Sequence, residues 1–124
     1  MEQKELETQI GTIEKENKIL EAKKVKIVEV EIVDVERAKS RKVVCHVKHP
    51  DREESITISS ESYLEEKAVV TKGLWYNLDK EGHIQKDSSL ATFMEFMKVS
   101  NLKELEGKEA DTELDGNYLV FKCY

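Results

Sequence analysis

The chain has 124 residues, of which 39% are hydrophobic and 37% are charged, and its net charge is −6. That length suits one domain with one core, and the acidic balance means that nucleic-acid binding would need a local basic patch. No stretch approaches the roughly 18 apolar residues of a membrane helix, and the charged N-terminal part lacks the apolar segment of a secretion signal. Because two cysteines do not make a disulfide framework, we expect a cytoplasmic protein, and its many lysines and glutamates give it a thermophile-like composition.

A charged helix over residues 2–23 is the first predicted element. Its seam follows the 4-3-4-3 spacing of a short coiled coil, at Leu6, Ile10, Ile13, Asn17 and Leu20. Asn17 favours a two-stranded coil because a buried asparagine fixes its register, whereas Gly11 costs the helix roughly 1 kcal/mol relative to alanine. Three alternatives stay open for this segment: a self-pairing coil, a helix packed on its own β-domain, and a partly frayed arm.

A long strand follows over residues 25–36, where apolar and polar side chains alternate. The alternation slips at Ile27–Val28 and again at Ile32–Val33. Each slip moves the apolar side chains to the other face, so each predicts a bulge or a strong bend. A long, bent first strand is how small barrels turn a corner.

A polar tip at residues 37–42 turns the chain into a second strand, which ends at Pro50. The apolar face of that second strand consists of Val43, Cys45 and Val47. Residues 56–58 predict a short third strand, and the serines of residues 55–62 fit turns. Residues 68–78 form the next extended run, in which Gly73 indicates a bulge or a close backbone approach.

A helix follows a turn at residues 79–82, from which residues 83–85 pair back. Its first turn has three candidate caps in Asp87, Ser88 and Ser89. Its apolar face has the spacing i, i+3, i+4 and i+7, at Leu90, Phe93, Met94 and Met97. Two further leucines, Leu102 and Leu105, predict one more helical turn before Gly107.

The C-terminal residues predict a hairpin. Apolar and polar residues alternate on its first strand, at Ala110, Thr112 and Leu114. Asp115-Gly116 has the composition of a two-residue turn, and residues 118–124 return from it. On the returning strand, Leu119, Phe121 and Cys123 would point into the core.

These elements predict an α+β fold in two parts: residues 1–24 as an N-terminal helix for oligomerisation, and residues 25–124 as a small β-rich domain. In the second part we expect a small antiparallel β-barrel or curved sheet with three to five strands, one embedded helix and the hairpin. The strand count and the bent first strand resemble the five-stranded barrels of the OB type, which bind oligonucleotides and also protein partners. The embedded helix follows the fourth extended segment rather than the third, which departs from that type.

Histidines and cysteines near residue 45 suggest a metal site, but their spacing argues against one. On a strand, Cys45 and His46 point to opposite faces, and Cys45 and His49 lie about 13 Å apart at 3.3 Å per residue. His83 and Cys123 would be further ligands of such a site. We instead interpret Cys45 and Cys123 as small core residues, and we expect no metal and no cofactor. Because the sequence contains no nucleophile motif and no glycine-rich phosphate loop, we do not expect an enzyme.

Two functions fit this sequence. The favoured one is a non-catalytic protein-interaction or assembly module that self-associates through its N-terminal helix as a homodimer, or binds another protein. The alternative is an OB-like protein that binds single-stranded nucleic acid, with basic residues on the phosphates and an aromatic ring on the bases. The residues of that candidate site are Arg37, Lys39, Arg41, Lys42 and Trp75. A tryptophan in the core and solvated lysines at a hairpin tip explain the same pattern.

Overall fold

Nine strands and one α-helix make up residues 20–124, which are the residues that the computed structural model describes. The strands are β1 (Val25–Val35), β2 (Ser40–Lys48), β3 (Ile56–Ile58), β4 (Ser60–Glu65), β5 (Ala68–Gly73), β6 (Trp75–Tyr76), β7 (Glu109–Ala110), β8 (Thr112–Asp115) and β9 (Tyr118–Cys123). Helix α1 covers Ser89–Met97, and two 3-10 turns cover Glu36–Ala38 and Leu102–Leu105. No helix in this part of the chain is long and apolar enough to cross a membrane.

The strands form a mixed α+β fold in which a curled sheet makes a half-barrel. The first sheet has the order β3-β2-β1-β7, with β6 also paired to β2, and the second sheet has the order β5-β4-β9-β8. All pairs are antiparallel except β4 with β9. Six strands precede α1, against the three to five predicted, because strands as short as β6 are too brief for an alternation pattern.

The β1–β2 hairpin dominates the first sheet and confirms the long first strand. Its register shifts between Ile27 and Glu29, so the bulge predicted at the first slip is present. The bulge predicted at the second slip is wrong, since Ile32 and Val33 pair in step with Val43 and Lys42. Ile32 is 39% exposed and Val33 is half-buried, so neither face is reserved for the core there and the apolar alternation carries no register information.

The tip of this hairpin is shorter than predicted. The chain turns through the first 3-10 turn, and Lys39 closes it in the left-handed region with φ 51° and an N–H that donates to the Glu36 carbonyl. Ser40 already pairs with Val35, so Arg41 lies in β2 and not in a loop. The start of β2 was not predicted, because residues 40–42 are polar and extend beyond the core.

One hydrophobic core lies on the inner face of both sheets. It contains Val25, Ile27, Val43, Cys45, Val47, Ile58, Leu74, Leu90, Phe93, Met94, Met97, Leu105, Ala110, Phe121 and Cys123. The predicted apolar faces of β2 and α1 are therefore confirmed. Ser88 caps α1 by accepting a hydrogen bond from the Ala91 N–H at 3.1 Å. Phe93 of the helix stacks on Phe121 of β9 with 4.8 Å between ring centroids, which joins the helix to the second sheet.

The extended run at residues 68–78 is two strands in different sheets, not one strand. The chain crosses between them at Gly73, where an added Cβ would lie 2.8 Å from Lys42 Cε and 3.0 Å from Trp75 Nε1. The atoms that approach this glycine closely belong to side chains, and not to another stretch of backbone as predicted. The chain then turns as predicted, because Leu78 forms an isolated bridge with Ile84.

The short third strand predicted at residues 56–58 is confirmed as β3, whereas Ser60 and Ser62 lie in β4 and not in a turn. Ser62 is buried in β4, where its hydroxyl lies 2.7 Å from the hydroxyl of Thr71 on the adjacent strand. This pair of hydroxyls satisfies two polar groups across the ladder. The start of β4 was not predicted, because serine is typical of turns.

The C-terminal hairpin forms with its core face as predicted: Phe121 and Cys123 are buried and Leu119 packs against the core. Its turn is one residue later than expected. Asp115 pairs with Tyr118, so the two loop residues are Gly116 and Asn117. The φ of Gly116 is 64°, which places the glycine where the turn needs left-handed backbone.

Residues 20–24 form neither helix nor strand, so the predicted end of the first helix at residue 23 is wrong. His49 Nε2 donates to the Glu21 carbonyl at 2.8 Å, and the Thr112 hydroxyl donates to the Lys23 carbonyl at 2.7 Å. These backbone carbonyls therefore accept hydrogen bonds from side chains of the β-domain, whereas in a continuing helix they would accept them from backbone N–H groups of the helix. The seam residues Leu6, Ile10, Ile13 and Asn17 lie outside the described residues, and Leu20 is half-buried.

Candidate functional site

Part of the predicted basic and aromatic set meets where β6 pairs with β2. Lys42 lies opposite Trp75, and Arg41 lies opposite Tyr76. The ammonium of Lys42 is 5.1 Å from the centre of the Trp75 ring, and the guanidinium of Arg41 is 4.9 Å from the centre of the Tyr76 ring. We call these four residues the cation–aromatic ledge. Both contacts have the distance of cation–π pairs.

The two rings of the ledge have different surroundings. Tyr76 packs against the hydrophobic core, whereas half-buried Trp75 does not belong to it. Trp75 is therefore the aromatic residue of this pair that lies outside the core. Partial burial lowers the pKa of the Lys42 ammonium above it.

Two open grooves flank the ledge. The tip groove, of about 660 Å³, is lined by the hairpin end of the first sheet together with Arg41, Tyr76 and Asn77. The helix groove, of about 470 Å³, runs from Trp75 and Asn77 to Ser88 and Ser89 at the start of α1. Arg41 and Tyr76 line the tip groove and Trp75 lines the helix groove, so the ledge lies between the two.

The charges of the two grooves are mixed and not basic. In the tip groove, Asp34 and Glu36 accompany Lys39 and Arg41. In the helix groove, Asp87 accompanies Lys72. Arg37 is exposed in the 3-10 turn and lines neither groove. The structure thus brings Lys39, Arg41, Lys42 and Trp75 to one region, but acids offset the basic excess that the sequence predicted there.

A second candidate surface is the edge of the second sheet. Strand β5 stands at the end of the strand order and pairs, within residues 20–124, with β4 alone. Leu64 and Val69 face each other across this pair and are 55% and 48% exposed. An edge strand presents unpaired N–H and C=O groups, and exposed apolar side chains beside them favour pairing with another strand.

Glu61 is a buried acid that sequence analysis missed. It is fully buried, and among the described residues neither carboxyl oxygen has a hydrogen-bond partner. Burial raises the pKa of this carboxyl from 4.5 to about 8, against a smaller lowering by the Cys123 thiol. Glu61 is therefore mostly protonated at neutral pH. Six acids crowd residues 51–66, and nothing in the sequence distinguishes this one.

The thiols and most histidines do not form a metal site. Cys45 and Cys123 are buried core residues, as predicted, and burial raises the pKa of the Cys45 thiol to about 12, so it stays protonated. Both ring nitrogens of buried His49 are used, since Nδ1 accepts from the Asp51 N–H and Nε2 donates to a backbone carbonyl.

The metal-capable group within residues 20–124 consists of Glu29, Glu31 and His46, whose ligand atoms all lie within 4.8 Å of one another. The sequence pattern groups His46 with cysteines and histidines alone. It missed the two glutamates because their approach depends on the strand register.

Comparisons with known proteins found no match for this chain. No family model matches it, and no curated protein and no solved structure is significantly similar to it. The function has to be argued from the ledge, the β5 edge and the charges of the described residues.

Proposed function

We propose that this protein is a non-catalytic assembly module that pairs with a second copy of itself. The free edge of β5 carries the proposal. The strand has six residues and no proline, and Leu64 and Val69 add exposed apolar surface. Addition of a strand to such an edge supplies main-chain hydrogen bonds, and the apolar pair supplies buried area.

The N-terminal segment belongs to the same proposal. Its heptad seam at Leu6, Ile10, Ile13, Asn17 and Leu20 suits a short two-stranded coil. Hydrogen bonds from His49 and Thr112 anchor the chain just after this seam to the β-domain. A coil that starts from this anchor would join two β-domains. The reducing cytoplasm suits a domain whose two cysteines are free and buried.

Light scattering on four proteins tests the assembly. We expect a dimer for the full chain, and a lower mass for Leu64→Lys/Val69→Lys, because charge on the patch opposes its burial. Leu114→Lys is the matched control, since Leu114 is 44% exposed in β8 at the opposite edge of the same sheet. Deletion of residues 1–19 separates the contribution of the coil from that of the edge. A monomeric full chain at high concentration would refute self-assembly.

Binding of single-stranded nucleic acid is the second candidate, and the position of Trp75 outside the core favours it. On this account the domain is an OB-like barrel, which the half-barrel and the bulged first strand support. Lys42 covers the Trp75 ring, so a stacking base would have to displace it. The acids in both grooves weigh against this function because they repel phosphates.

A labelled oligonucleotide at two salt concentrations tests this second candidate. Changing Arg37, Lys39, Arg41 and Lys42 to serine should flatten the salt slope by roughly 0.7 per lost phosphate contact. Trp75→Ala should weaken binding by about 1–3 kcal/mol and leave the slope unchanged, since stacking is largely independent of salt. Absence of binding by the intact chain at low salt would remove this candidate and leave the assembly module.

A further inference from the structure

Three side chains on the outer face of the β1–β2 hairpin form a mixed nitrogen and oxygen cluster. The ring of His46 and the carboxylates of Glu29 and Glu31 bring their ligand atoms within 4.8 Å of one another. His46 Nε2 lies 3.1 Å from Glu31 Oε1. We propose that this cluster binds a divalent transition-metal ion, with Zn²⁺ as the best-matched ion. The site is separate from the ledge and from the β5 edge.

The bulge in β1 creates this arrangement. Ile27 pairs with Val47, so in a regular ladder Val28 would lie opposite His46 and Glu29 opposite Cys45, on the core face. The extra residue instead places Glu29 opposite His46. Glu31 lies two residues further along β1 and therefore on the same face. Bulges often re-aim a side chain next to a functional site, and this one turns two carboxylates towards an imidazole.

The local charges suit a cation. Within residues 20–124, no lysine or arginine nitrogen lies within 4.0 Å of either carboxylate, and the one ion-pair partner of Glu31 is His46. Glu21 and Glu65, in contrast, each pair with a lysine. A divalent ion would neutralise the two negative charges that β1 places side by side.

The donor set indicates the class of ion. Imidazole suits zinc and its neighbours among the transition metals, whereas calcium and magnesium prefer oxygen ligands alone. Zinc binds imidazole nitrogen and carboxylate oxygen at about 2.0–2.2 Å, so the carboxylate oxygens must adjust to a spacing of roughly 3.4 Å from the other ligand atoms. Both glutamates are exposed and can rotate to do so. Three protein ligands leave the fourth position of zinc to water.

A zinc titration of the tag-free full chain by calorimetry tests the site. We expect one equivalent to bind, with an affinity at least about tenfold lower in His46→Gln and in Glu31→Gln. Loss of a residue that only orients a metal ligand already lowers metal affinity by about that factor, and loss of the ligand itself should lower it further. His83→Gln is the matched control. His83 is an exposed histidine whose Nδ1 lies 3.8 Å from a carboxylate oxygen of a single glutamate, Glu81. The His83→Gln variant should therefore bind zinc with the same affinity as the wild type.

A second readout keeps the result independent of the assembly proposal. On addition of Mn²⁺, the ring signals of His46 in the NMR spectrum should broaden, and those of His49 and His83 should broaden less. Thermal melts verify that each variant folds. Unchanged zinc affinity in both His46→Gln and Glu31→Gln, or loss of zinc binding in His83→Gln, would overturn the proposal, as would absence of binding by the wild type.

Discussion

The two sheets share one core but differ in the polar side chains that their strands bury. The inner face of the first sheet is apolar: Ile27, Val43 and Cys45 are fully buried there, and the charged side chains of its strands lie on the outside. The second sheet buries Glu61 inside, and it leaves an apolar pair exposed at its β5 edge. The first sheet also leaves apolar side chains exposed, at Val28 and Ile32, so the departure that distinguishes the second sheet is its buried carboxyl.

The difference has an energetic side. An unsatisfied buried polar group costs about 1–3 kcal/mol, so Glu61 should weaken the second sheet even when it is protonated. The first sheet has no comparable group among its described residues, because buried His49 uses both ring nitrogens. We therefore expect the second sheet to open before the first.

The largest expected effect tests how far the second sheet depends on the shared core. Phe121→Ala removes the ring that stacks on Phe93, so it should lower the free energy of unfolding by about 3–5 kcal/mol. Tyr118→Ala is the control on the same strand, since Tyr118 is 78% exposed. Chemical denaturation measures both. Similar stabilities for the two variants would show that β9 is peripheral to the fold.

The next effect concerns Glu61 and the pH. Its folded-state pKa of about 8 lies above the ordinary value of 4.5, so the folded protein holds the proton more tightly than the unfolded chain does. The contribution of this proton to the free energy of unfolding is fully present below pH 4.5. It decreases as the pH rises from 4.5 to about 8, by up to about 1.4 kcal/mol per pH unit. Denaturation midpoints across this range measure the loss.

Glu61→Gln should remove that loss, because glutamine has nearly the same shape and does not ionise. At pH 8 and above the variant should therefore be more stable than the wild type, and at pH 5 the two should be similar. Glu54→Gln is the control, since Glu54 is exposed in the loop before β3. The same pH profile in Glu61→Gln and in the wild type would assign the loss to other groups.

The smallest effect compares the hairpin turns of the two sheets. Gly116 has φ 64° and nothing within 4 Å of an added Cβ, so Gly116→Ala should cost about 1 kcal/mol through backbone strain alone. Lys39 in the first hairpin has φ 51°, and Lys39→Gly should stabilise by less than about 1 kcal/mol. Thermal melts of both variants decide this. A stabilising Gly116→Ala would contradict the description of its turn.

Sequence patterns predicted the parts of the fold in which one face is apolar. The core face of β2, the four buried residues of α1 and the inward residues of β9 all follow from periodicity. Strand β4 was not predicted, because its buried residues Glu61 and Ser62 are polar. The division of residues 68–78 into two strands at Gly73 was not predicted either, because the segments on both sides of it are extended. Tertiary contacts, not local preference, decide both.

The candidate sites divide in the same way. The position of one aromatic of the Trp75–Tyr76 pair outside the core could be anticipated, because neighbouring strand residues point to opposite faces. The meeting of Glu29, Glu31 and His46 could not. It requires the register across β1 and β2, which depends on where the bulge lies and on the hairpin turn at Lys39. The exposed β5 edge likewise follows from strand order, which no local pattern encodes.

Amide hydrogen exchange of β5 as a function of protein concentration tests the proposed assembly most directly. Every second amide of an edge strand points away from its one partner strand and exchanges freely unless another strand pairs with it. The account predicts that amides within Ala68–Gly73 gain protection as the concentration rises, and that those of the central strand β2 do not change. Exchange of β5 that is fast and independent of concentration would contradict the assembly through this edge.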